Sequence, residues 1–111
     1  MKIVTPKIIT IMNEKGRVAL LRNRSYSVGR NVIIEYPKGI SWERKKAVVE
    51  KVVANPTIDD LSQYVEISGF DSAKAWWLTS VALLKRTPPY LIVLRIREGS
   101  MEPTSKRSRG D

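Results

Sequence analysis

Apolar and polar positions fall in short blocks that predict strands first, a pair of helices next and a single strand last. Ile8–Met12 is a β-branched run that reads as a strand, with the turn-like Asn13-Glu14-Lys15-Gly16 behind it. Arg17–Arg22 alternates as a second strand, Val18 and Leu20 on one face and Ala19 and Leu21 on the other. Asn31–Tyr36 is a third, closed by Pro37-Lys38-Gly39 as a turn. Ser41–Ala54 admits two readings. Ser41 is able to cap a helix over Trp42–Val53, whereas the clusters Ala47-Val48-Val49 and Val52-Val53 favour a strand over Lys46–Ala54.

Thr57 has the chemistry of an N-cap, with Asp59 and Asp60 where they complement a helix dipole, so a helix is predicted over Ile58–Ile67, stopping at Ser68-Gly69. Asp71-Ser72 caps a second helix, Ala73–Lys85, whose Ala73, Trp76, Trp77, Val81 and Leu84 recur at helical spacing before Pro88-Pro89 ends it. Tyr90–Arg97 is the clearest strand, Ile92, Leu94 and Ile96 facing one way and Leu91, Val93, Arg95 and Arg97 the other. Residues 99–111 are polar and without period, and are expected to be a disordered tail on a domain of residues 1–98. The order predicts an α+β fold: a small mixed β-barrel or curved sheet with a two-helix insertion before the last strand.

Composition changes this picture mainly through what is missing. With no histidine and no cysteine among 111 residues, imidazole acid–base chemistry, thiolate nucleophiles, disulfides and nearly every zinc site are excluded. No cofactor or metal is expected. No apolar run approaches the roughly 20 residues of a membrane span, so neither a membrane partner nor a secretory leader is expected, and the cytoplasm is the expected location.

The net charge of +9 is concentrated: residues 1–51 hold 12 Lys/Arg against 4 Asp/Glu, and residues 52–98 hold 5 against 5. A folded half with that surplus has the electrostatic footprint of a polyanion binder. A thermophile's charged surface also fits the lack of cysteine and the single Gln63, but ion-pair networks favour balanced signs.

Three stretches in order resemble the ASCH domain family of the PUA-like superfamily. Lys15-Gly16-Arg17-Val18-Ala19-Leu20-Leu21-Arg22 falls where that family carries G-x-K-x-x-E/T-x-R. Tyr26-Ser27-Val28-Gly29-Arg30-Asn31-Val32-Ile33 is similar to its x-x-V-G-D-x-V-x-I. Ala47–Val53 followed by Ser68-Gly69-Phe70-Asp71-Ser72-Ala73-Lys74-Ala75-Trp76 resembles its A-x-V-x-x-V and x-G-F-x-S-x-x-E-W. The resemblance covers about residues 8–98, implies a PUA-like barrel, and selects the strand reading at Lys46–Ala54. Some members hydrolyse acetylated cytidine or cut RNA, with the motif's Lys and Thr implicated in hydrolysis. Here the family's Gly falls at Lys15, its Lys at Arg17 and its Glu or Thr at Leu20, and only the final arginine, Arg22, is kept. Arginine stays protonated and leucine offers neither nucleophile nor base, so catalysis is not expected from this motif.

What survives suits binding. Arg17, Arg22 and Arg24 are expected to line a cleft for phosphate oxygens, with Arg30, Arg44, Lys45 and Lys46 extending the field and Tyr26 and Trp42 offering stacking surfaces. Trp77 is a further stacking candidate, since it and Trp76 cannot bury equally on one helix, and Arg95 and Arg97 read as snorkelling at a rim. The expected partner is RNA, single-stranded or structured, held by a monomer. DNA is not excluded by charge. Two other readings stay open: a hydrolase or nuclease acting on RNA or a modified nucleoside through residues such as Lys46, Tyr26 or Ser27, and an interaction domain for an acidic protein.

Overall fold

The computed structural model describes residues 1–97, so the tail expected from residue 99 lies outside the described residues. Its elements are α1 (Pro6–Lys15), β1 (Arg17–Arg22), β2 (Asn31–Lys38), β3 (Ser41–Ala54), α2 (Ile58–Ser62), a 3-10 turn at Val65–Ile67, α3 (Ala73–Leu84) and β4 (Tyr90–Ile96). The expected α+β class is observed. Of the expected mixed barrel or curved sheet, the strands show an open four-stranded sheet in the order β1-β4-β3-β2 with every ladder antiparallel, and no closed barrel is seen among the described residues.

The predicted first strand, Ile8–Met12, is instead part of helix α1. Thr5 takes an extended N-cap conformation, Pro6 occupies the first turn, and Gly16 ends the helix at φ 70° with its N–H on Met12 O. β-branching disfavours a helix by only tenths of a kcal/mol per residue, whereas burying a side chain such as Met12, 1% exposed, contributes about 1.5–3 kcal/mol. Packing decides the matter. The loop after the 3-10 turn lies hard against α1, since a Cβ on Gly69 would stand 2.9 Å from Ile8 Cγ1.

β3 begins five residues before the expected Lys46, because the tight turn at Gly39-Ile40 pairs Lys38 directly with Ser41. A bulge between Val49 and Lys51 leaves Glu50 without a partner on β4. The predicted helix Ile58–Ile67 is shorter: α2 opens on a capping box, with Asp60 N–H on Thr57 Oγ1 and Thr57 N–H on Asp60 Oδ2, and gives way to the 3-10 turn. α3 starts as predicted with Ser72 Oγ accepting from Ala75 N–H, and ends at Lys85 in a left-handed conformation.

Two hydrophobic clusters lie on opposite sides of the sheet. The first takes Val18 and Leu20, Val32, Ile34 and Tyr36, Ala47 and Val49, and Ile92, Leu94 and Ile96, with Ile3 and Met12 packed in. The second joins Ala19, Leu21, Leu91 and Val93 to Leu61, Ile67 and Trp76. Residues 1–3 run along the outer edge of β2, where Ile3 N–H reaches Glu35 O and Glu35 N–H reaches Met1 O.

Candidate nucleic-acid interface

The helices cover only part of their side of the sheet. Following β4 along that side, Leu91 and Val93 are fully buried under them and Arg95 is exposed. Beyond Val93 no described residue covers the side, and the register names what stands on it. Arg17 faces Arg95, Arg95 faces Val48, and Val48 faces Asn31, one row across all four strands. Two residues further along each strand come Arg97, whose N–H bonds Lys46 O, and Lys46, which faces Ile33. Arg44 opposite Glu35 and Trp42 opposite Pro37 follow. Alternate strand residues share a face, so Arg17, Trp42, Arg44, Lys46, Arg95 and Arg97 all stand on this one. Lys2 joins them from the N-terminal segment, its Nζ 5.4 Å from the Trp42 ring centre. Trp42 is 53% exposed, well beyond what a core tryptophan shows.

Among the described residues, six cations here meet two carboxylates. Arg17 forks onto Glu50, Nη2 to Oε2 at 2.8 Å and Nε to Oε1 at 3.2 Å, the bulge having freed Glu50 from the ladder. Arg44 Nε reaches Glu35 Oε2 at 3.3 Å, and Arg97 Nη1 donates to Asn31 Oδ1 at 2.8 Å. Directly opposed like charges such as Arg17 and Arg95 weaken a strand pair. A face arranged for stability alone would not collect them.

A second group of predicted residues gathers elsewhere. Arg22 is at the other end of β1, about 17 Å from Arg17 at the usual rise, so Arg17 does not share a cleft with Arg22 and Arg24 as expected. Arg22 is half-buried and donates Nη1 to Leu21 O at 3.2 Å; burial lowers its guanidinium below the ordinary arginine value, an effect that nearby Tyr26 opposes. Arg24, Tyr26 and Arg30 line a recess of about 330 Å³ beside the start of β2, with the Arg30 guanidinium 5.6 Å above the Tyr26 ring. Gly29 N–H to Val49 O and Val49 N–H to Arg30 O tie this loop to β3.

Lys45 stands on the opposite side of β3 from Arg44 and Lys46, facing Ile34 and half-buried, so the three do not form one basic stripe. Trp76 is buried, and Trp77 packs beside it on the second cluster rather than offering a free ring. Lys46 and Tyr26 lie apart as well, Lys46 on the open face and Tyr26 against the first cluster. Sequence reasoning assigned no role to Lys2 and took Arg95 and Arg97 for rim residues. The change from Leu91 and Val93 to Arg95 and Arg97 along one face of β4 was the available signal, marking where helical cover stops. Nothing in the sequence pointed to Lys2, which reaches Trp42 only because residues 1–3 pair with β2.

Among the described residues no helix is long and apolar enough to cross a membrane, and no group of three His, Cys, Asp or Glu side chains is placed to hold a metal ion. Compared with protein-family models, with curated proteins and with solved structures, the chain matches none.

Proposed function

We propose that the protein binds single-stranded RNA on the open face of its sheet, as a monomer in the cytoplasm. The observation that carries this reading is the uncovered strand surface on which Lys2, Arg17, Arg44, Lys46, Arg95 and Arg97 surround an exposed Trp42. Guanidinium forks and lysines follow a phosphate chain without reading its sequence, and an exposed indole stacks on any base. A base stacked on Trp42 would take the place that the Lys2 ammonium now holds over the ring. Single strands are favoured over duplex because stacking on Trp42 requires an unpaired base.

Binding rather than hydrolysis is the better reading of the N-terminal motif. Leu20, where the ASCH family has Glu or Thr, is 3% exposed within the first cluster, and Arg17 is already forked onto Glu50. Kinship with the ASCH domains and their PUA-like barrel belongs to this proposal too, and rests on the three motifs quoted above. The preference for RNA over DNA rests on the same resemblance. Filter binding at about 50 mM salt with short single-stranded RNA, the matching DNA and polyaspartate as competitor tests the reading. RNA is expected to bind, and to resist polyaspartate and DNA at equal charge concentration. No RNA binding at that salt, where phosphate contacts are strongest, overturns it. Displacement by polyaspartate as readily as by RNA would favour an acidic protein partner instead.

A further inference from the structure

Resting on the RNA-binding reading, we propose that the recess formed by Arg24, Ser25, Tyr26, Arg30 and Asn31 takes a phosphate monoester, the terminal phosphate of a strand laid across the open face. Among the described residues no carboxylate lines the recess. Neither Arg24 nor Arg30 makes an ion pair with any described residue, whereas on the open face Arg17 and Arg44 are already engaged by Glu50 and Glu35. Both guanidinium charges in the recess are therefore uncompensated by any described residue. The recess also offers ten guanidinium N–H groups, with the hydroxyls of Ser25 and Tyr26 beside them. The Arg30 guanidinium over the Tyr26 ring is held in place before any ligand arrives.

A phosphate monoester carries close to two negative charges and three terminal oxygens at neutral pH, while an internal phosphodiester carries one charge and two such oxygens. Two arginines without an acidic partner match the monoester better. Position supports the same reading. Asn31 lines the recess, and its Oδ1 accepts from Arg97 on the open face, so one residue borders both surfaces. A strand following the row Arg17, Arg95, Val48, Asn31 across the sheet runs out at the recess, where an end rather than an interior phosphate would arrive.

The test is competition binding of one short RNA prepared with hydroxyl ends, with a 5′-phosphate and with a 3′-phosphate, on the wild type and an Arg24→Ala/Arg30→Ala variant. One phosphorylated end is expected to bind about tenfold more tightly than hydroxyl ends, the scale of one or two charge-assisted hydrogen bonds. The variant is expected to erase that preference and still bind the hydroxyl-ended RNA. Equal binding of all three RNAs by the wild type overturns the inference, as does a preference that survives in the variant. A parallel titration with adenosine monophosphate and with adenosine, followed by amide chemical shifts, separates the two levels of argument. Shifts at Ser25–Asn31 from the monophosphate alone are expected. If they occur while no RNA binds, the recess stands and the open-face reading falls; if they are absent, the recess is not a phosphate site.

Discussion

Replacing Lys46 and Arg95 together by alanine tests the open face through a number that folding alone does not move. With Arg17 and Arg44 held by Glu50 and Glu35, and Arg97 left out of the count, Lys2, Lys46 and Arg95 leave about three charges for a single strand, which would thus neutralise about three phosphates. For single strands the slope of log affinity against log salt is about −0.7 per phosphate, giving about −2.1 here and a loss of roughly 18-fold between 50 and 200 mM salt. The double variant leaves about one phosphate contact, a slope near −0.7 and a loss of roughly threefold over the same range. Both side chains are exposed, and Arg95 stands opposite Arg17, so their removal is expected to leave stability within about 0.5 kcal/mol. Fluorescence anisotropy with a labelled oligonucleotide at five or so salt concentrations, beside a thermal melt of each protein, supplies both readings. An unchanged slope in a variant that folds normally would refute the placement of the strand on this face.

Trp76→Ala removes a side chain that is 2% exposed and stacks on Phe70 with ring centres 6.4 Å apart, so a denaturant titration should show a loss of about 3–5 kcal/mol, while Leu78→Ala on the exposed side of α3 should cost under about 0.5 kcal/mol. Gly69→Ala places a side chain at φ +84° and against Ile8; a loss of about 1–2 kcal/mol is expected from the backbone alone, and Ile8→Ala in the same chain should recover only the part due to the clash. Tyr36, buried and close to Glu43, has its hydroxyl pKa raised by burial first and by that carboxylate second. Below about pH 10 the phenol is neutral in folded and unfolded chains alike; above it the unfolded chain ionises first, so Tyr36 should lower stability as pH rises toward the folded value. Denaturant midpoints at pH 9 and pH 11 should therefore fall less in Tyr36→Phe than in the wild type, and an equal fall would contradict this assignment.

The strands were legible wherever one period dominated. Arg17–Arg22 and Tyr90–Ile96 were visible with the correct faces because both lie against two clusters, and four or more consecutive apolar residues left no other reading. α1 was not, since the run Ile8-Ile9-Thr10-Ile11 has strand propensity and its helical state is fixed by contacts with both clusters and by Gly69, all distant in sequence. The basic surface was legible as an excess of charge but not as a place. Arg44, Lys45 and Lys46 are consecutive, and on a strand consecutive residues part to opposite sides. Arg17 and Arg22, five positions apart, part both in side and in distance. Lys2 and Trp42 meet across forty residues through an edge pairing that no local pattern announces.

Glu50 has a consequence for how this surface can change over generations. Because it is the residue skipped where β3 runs along β4, its removal would let Val49 and Lys51 follow one another with every neighbouring pair of the ladder kept. The core on one side and the basic row on the other would be untouched, while Arg17 would lose the carboxylate it now holds. One codon lost or gained at that point adjusts the charge shown to a ligand by a single unit and leaves the fold alone. The bulge is thus a place where affinity is tunable by length rather than by substitution.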